Sequence, residues 1–219
     1  MRIELVSHVA FVLCIAASCV SCDVTSREPL GFDESGSEFV GAWTSFGYRT
    51  RTYLLISKFT DLKLDIVHLE QSDRSIEGGF SMIRFTGLPI QLGEETFVSL
   101  LPRSVDGEQA ANEGYLIAKC SVSSNVLHVT LMDIQNARPL VENGTINGKI
   151  SSESGRARVL LDANSDQLTK VVRVHSAHLF NASKTQVFSR MEDRADKEAT
   201  RQPRKPGTRE NRRKPGTGK

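Results

Sequence analysis

The sequence predicts a mainly β protein with one or two short helices, its strands forming an antiparallel barrel-like or strongly curved sheet. Three features carry this expectation. Apolar and polar residues alternate with period two through most of the body, turn-forming residues recur roughly every ten positions, and helical spacing appears only late in the chain. With 219 residues, 39% hydrophobic and 25% charged, the chain has the composition of a globular protein and the length for one domain with appendages.

The first element precedes the domain. Met1-Arg2 leads, past Glu4, into the apolar run Val9 to Val20, and polarity returns at Asp23, Ser26, Arg27 and Glu28. That run is too short to span a bilayer as a helix and fits the apolar region of an export signal, expected over residues 1–21. Ala16-Ala17-Ser18-Cys19 places small residues before a cysteine in the manner of a bacterial lipobox, with Val20-Ser21-Cys22 as a second, poorer match. Lipidation is expected at one of the two, Cys19 or Cys22. Acyl chains there would hold the protein to a membrane, each buried methylene contributing about 0.8 kcal/mol. Ordinary cleavage near Ser21, with the thiols incidental, is the alternative. Residues 22–37 read as a disordered linker.

The domain is expected over residues 38–191. Glu38 to Trp43 opens a first strand. Thr52 to Lys58 and Leu62 to Glu70 form a hairpin closed at Phe59-Thr60-Asp61, with Leu62, Leu64 and Ile66 on one face. Ser72 to Gly79 is a turn before a strand at Phe80 to Thr86, and Thr96 to Leu101 is another strand. A polar loop from Asp106 to Gly114 precedes the clearest hairpin, Tyr115 to Val122 and Val126 to Asp133, joined at Ser123-Ser124-Asn125, with Leu127, Val129 and Leu131 facing inward. Ile134 to Glu142 suits a short helix ended by Asn143-Gly144. Ser165 to Val174 suits a second helix capped by Ser165, with Leu168, Val171 and Val172 at helical spacing. Gln186 to Arg190 is the last strand. A closed barrel, a half-barrel and an open sheet all remain compatible with this pattern.

Gly41-Ala42-Trp43 at the start of the first strand resembles the Gly-x-Trp signature of lipocalin-like barrels. Together with the lipobox, the Tyr115 to Asp133 hairpin and the Gln186 to Met191 finale, it makes the stretch from Cys19 to Met191 similar to an uncharacterised family of bacterial lipoproteins, which has no established activity. The resemblance implies a structural trio. Trp43 would plug one end of the barrel, Gly41 would allow close backbone packing, and Arg190 would stack across the indole. The alternative is that Trp43 is simply the largest core residue and Arg190 a solvated strand end.

Charge is unevenly spread. Residues 194–219 hold ten Lys or Arg against three acids, a net of +7, which leaves −5 for the rest out of a total of +2. The tail, 192–219, repeats Arg-Lys-Pro-Gly-Thr at Arg204 and Arg213 and has nothing to bury, so it is expected to be disordered. It suits contact with anionic polymers or lipid headgroups. Without an aromatic to stack a base, it gives no reason to expect a nucleic acid partner.

Signatures of chemistry are scarce. No Gly-x-Ser-x-Gly elbow occurs. Gly144 to Ile150 has three residues between its glycines and no Ser or Thr after Lys149, so it is not a phosphate loop. His175 and His178 sit three apart without an evident third ligand, and near a helix C-terminus they have a dipole role instead, so no metal is expected. Cys120, the lone body cysteine, excludes a disulfide framework and reads as a small buried hydrophobe. His68 and His128 lie in strands, and alternation puts His128 on the face of Thr130, opposite Leu127, Val129 and Leu131, where solvent exposure explains it. Asp61, Asp65 and Asp133 suit a carboxylate pair only if the fold brings them together. Asn143 and Asn181 match the glycosylation pattern, which a bacterial setting would leave unused.

The sequence therefore points to an exported, lipid-anchored envelope protein facing the periplasm or exterior. It is expected to be a non-enzymatic binding module for an apolar ligand or an envelope protein, without a cofactor. The competing expectation is a periplasmic hydrolase using Asp65, Asp133, His68 and His128.

Overall fold

The computed structural model describes residues 24–47, 50–72, 80–110, 114–153 and 156–191. The expected signal at 1–21, Cys19, Cys22, most of the turn expected at Ser72 to Gly79 and the tail at 192–219 lie outside the described residues.

Eight antiparallel strands close into a barrel. They are β2 (Gly41–Phe46), β3 (Thr50–Thr60), β4 (Lys63–Ser72), β5 (Phe80–Leu92), β6 (Glu95–Val105), β8 (Leu116–Ser123), β9 (Val126–Leu131) and β12 (Gln186–Arg190). Each pairs with the next in that order, and β12 returns to β2, so no wall strand has a free edge. A two-residue β7 (Glu108–Gln109) adds to β6. The barrel is consistent with a lipocalin-like one; the half-barrel and open sheet are excluded.

The hairpins follow from their turn chemistry. Between β8 and β9, Ser124 and Asn125 both adopt positive φ, 49° and 63°. Such primed turns match the twist of the flanking strands. Alternation then sends Leu127, Val129 and Leu131 into the barrel, where they meet Trp43, Ile66, Phe85 and Phe188. The strands β3, β5 and β6 run longer than their sequence pattern suggests, because pairing to neighbours on both sides carries them through residues such as Gly87, Pro89 and Pro102 that read as breaks in the alternation.

A second apolar cluster lies against the barrel's outer wall. It joins the outward Phe97 and Ile117 to two helices, α1 (Ile134–Glu142) and α2 (Ser165–Leu179), and to a small sheet of β1 (Val24–Ser26), β11 (Arg156–Leu161) and β10 (Gly148–Glu153). α1 begins at Asp133, whose carboxylate accepts from Gln135 N, and ends before Gly144 at φ 74°. α2 is capped by Asn164 rather than Ser165, with the Asn164 side chain accepting from Gln167 N at 2.9 Å. It also continues to Leu179, because Val172, Ser176 and Leu179 extend its buried stripe. Ser176 and Lys119 both bond the Glu95 carboxylate, tying α2 to β6 and β8.

The linker expected over 22–37 needs correction for residues 24–37. β1 pairs in parallel with β11, Leu30 is 1% exposed, and Leu30 N donates to Ser99 Oγ at 3.0 Å. Thr169 donates to the Leu30 carbonyl, and Asp33 accepts from Gln91 N. Isolated apolar residues in a polar segment carry no period, so only their distant partners reveal them. The same holds for β10 and β11, which the sequence pattern does not announce.

Candidate functional site

The site is the barrel interior, and its floor is built first by the chain. Ser37–Phe39 forms a single 3-10 turn that tucks Phe39 under the barrel, 2% exposed. Gly41 follows at φ 145°, a conformation that L side chains rarely adopt, and a Cβ there would lie 3.0 Å from Arg190 Nη1. Two residues on, Trp43 is fully buried and donates from Nε1 to the Phe39 carbonyl at 2.7 Å. Arg190 reaches this floor from the last strand. Its guanidinium carbon stands 4.3 Å from the indole ring centroid, and its Nη1 and Nη2 donate to the carbonyls of Val40 and Glu38, both at 3.2 Å. Cation and ring face each other where water is scarce, which strengthens the pairing.

Above the floor lies a cavity of about 90 Å³. Leu54, Ile56, Leu64, Ile66, Phe85, Val98 and Leu127 form much of its wall, with Phe39 below. Its polar lining consists of His68, Gln186 and the thiol of Cys120. Burial pushes the His68 imidazole down to about 4, so the ring is neutral at neutral pH. Burial, with a smaller contribution from the charge of Glu38, pushes the Cys120 thiol up to about 12. The lining therefore carries no formal charge at neutral pH.

No protein-family model, curated protein or solved structure matches the chain.

Toward the other end of the barrel, Glu70 follows His68 on the same face of β4 and is 6% exposed, with burial raising its carboxyl above the usual range. It sits in register between Thr52 and Ser81, as His68 does between Leu54 and Ile83. Among the described residues no hydrogen bond or ion pair reaches either His68 or Glu70. The sequence reading places His68 in a strand, without a face assigned to it. Extending the alternation of Leu64 and Ile66 by one step marks His68 as inward-facing, and that was the signal to use.

The other candidates do not gather. Asp65 lies on the outer face of β4, where Arg84 bonds it at 2.7 and 2.8 Å and holds its carboxyl down. Asp133 caps α1. Burial pulls its carboxyl up, but the bond from Lys184 at 2.8 Å and that from Gln135 outweigh it and leave a lowered pKa. His128 pairs in register with Val187 on the outer face, and Asp61 sits in the β3–β4 turn. Asp65, Asp133, His68 and His128 are thus divided among the inside, the outside and a helix cap. His175 and His178 both fall within α2, His178 in its last turn. Gly144 to Ile150 leads from the end of α1 into β10. Among the described residues, no group of three His, Cys, Asp or Glu side chains could hold a metal ion.

Proposed function

We propose that this chain is an exported envelope lipoprotein whose barrel is a non-enzymatic binding module for a small apolar ligand. The observation that carries the binding role is the apolar cavity lined by Phe39 and the inward leucines, isoleucines and valines of the barrel wall. A concave, apolar site with a few polar groups is the common form of a small-molecule site. Export and lipidation rest on the sequence of residues 1–22, and the resemblance to bacterial lipoproteins agrees with both. The anchor would hold the barrel at a membrane surface.

Intact-protein mass spectrometry of the detergent-extracted protein tests the anchor, comparing wild type with Cys19→Ala and Cys22→Ala. A mature mass that begins at Cys19 or Cys22 and carries lipid is expected. An unlipidated soluble product would refute the anchor and leave a secreted barrel. Titration of the purified protein with small apolar molecules, followed by the emission of Trp43, the only tryptophan, tests the binding role. An emission insensitive to every such molecule, together with no shift of interior methyl resonances, would refute it.

A further inference from the structure

The barrel's inner surface has a direction. Along β4 the inward residues run Leu64, Ile66, His68, Glu70, from the end nearest the Trp43 floor toward the opposite end. The first two are buried and apolar, the third carries an imidazole, and the fourth a carboxyl. His68 and Glu70 are about 7 Å apart along the strand. Below His68 the cavity meets Phe39, Ile56 and Val98, and nothing there offers a side-chain hydrogen bond except the Cys120 thiol, a weak donor.

A half-buried imidazole without a protein partner depends on water for its hydrogen bonds. Among the described residues no side chain or backbone group satisfies His68, yet it lines the cavity. A ligand that displaces this water can supply the bond in its place. We propose, building on the binding-module role above, that His68 is the hydrogen-bonding contact for an uncharged ligand that has an apolar body and one hydroxyl or carbonyl group. The apolar end enters first and fills the space lined by Phe39, Ile56 and Val98, and the polar group stops at the level of His68. A neutral imidazole serves either group, since one ring nitrogen donates and the other accepts.

Charge selects against anions. A carboxylate at His68 would stand within about 7 Å of Glu70 on the same face, with no cation in the cavity lining to offset it. Size also restricts the ligand. A cavity of about 90 Å³ is smaller than the roughly 150 Å³ apolar cavity that takes benzene, so even a six-carbon ring overfills it and extends past Leu131 and Gln186.

Three probes that share a cyclohexyl ring test this: cyclohexanol, methylcyclohexane and cyclohexanecarboxylate, titrated into the full-length protein. Methyl resonances of Leu54 and Leu127 report occupancy, and the side-chain nitrogens of His68 report the polar contact. Cyclohexanol and methylcyclohexane are expected to shift the methyls, and only cyclohexanol to shift the His68 nitrogens. In His68→Phe, cyclohexanol affinity is expected to fall about tenfold while methylcyclohexane changes less than about twofold. His68→Gln, which keeps a donor and an acceptor, is expected to restore most of the loss. If both neutral probes shift the methyls but cyclohexanol binds no better than methylcyclohexane, or His68→Phe leaves cyclohexanol binding unchanged, the role of His68 is refuted and the binding module stands. Carboxylate binding tighter than cyclohexanol would overturn the preference for uncharged ligands. If no probe shifts an interior methyl, the binding module fails and this inference fails with it.

Discussion

Replacing Arg190 with alanine should loosen the barrel floor, and the size of the effect can be worked from its contacts. The guanidinium stacks 4.3 Å from the Trp43 ring centroid and donates to two carbonyls at 3.2 Å. A partly desolvated cation–π contact contributes about 1 to 2 kcal/mol. The two hydrogen bonds are long, so about 1 kcal/mol each is appropriate. The sum is about 3 kcal/mol, and for a domain of this size about 2 to 4 °C of Tm accompanies each kcal/mol. Arg190→Ala should therefore lower Tm by about 6 to 12 °C. Water admitted over the indole should also shift Trp43 emission to longer wavelength. Thermal unfolding followed by far-ultraviolet circular dichroism, with Trp43 emission recorded in the native state, measures both. Arg190→Lys keeps the charge but not the planar fork and should recover less than half of the loss. If Arg190→Ala unfolds within about 2 °C of wild type with unchanged emission, Arg190 is a solvated strand end and the floor stands without it.

Three further perturbations test the same physics. Gly41→Ala places a Cβ 3.0 Å from Arg190 Nη1 at a φ of 145°; it should destabilise by about 2 kcal/mol, read in urea unfolding, and a neutral result would mean the backbone relaxes there freely. The His68 imidazole has its pKa lowered from 6.5 to about 4, so the unfolded chain takes up a proton first on acidification. Stability from His68 is therefore present above about pH 6.5 and is lost as pH falls toward 4, roughly 2 kcal/mol of it between about pH 7 and about pH 5. Glu70, with a raised pKa, acts in the opposite direction, so urea unfolding of wild type against His68→Phe at both pH values isolates the histidine term; equal pH dependence in the two proteins would contradict it. Cys120, buried and with its thiol pushed up to about 12, should resist alkylation in the native protein and react once urea unfolds it, as peptide mass mapping would show. Rapid native modification would mean that the barrel opens at β8.

Much of the barrel was readable from local pattern. Turn residues and period-two alternation placed β12 and the β8–β9 hairpin, α1 was marked by its Asn143-Gly144 stop, and α2 by Leu168, Val171 and Val172 at helical spacing. These elements are legible because each depends on residues close in sequence. The site was legible only in part. Gly41, Trp43 and Arg190 stood out through a resemblance, whereas His68 was given no face although its strand neighbours Leu64 and Ile66 already pointed inward.

The sequence by itself determined the β-rich class, most strand positions and the inward faces, because side-chain period and turn conformation are local properties. Only the tertiary structure decided that the sheet closes, since closure rests on β12 pairing with β2 across more than a hundred residues. It also decided that residues 24–37 pack rather than dangle, and that Asp133 is held by Lys184 at the start of α1 rather than beside Asp65. Those outcomes depend on contacts between distant segments, and no local spacing encodes them.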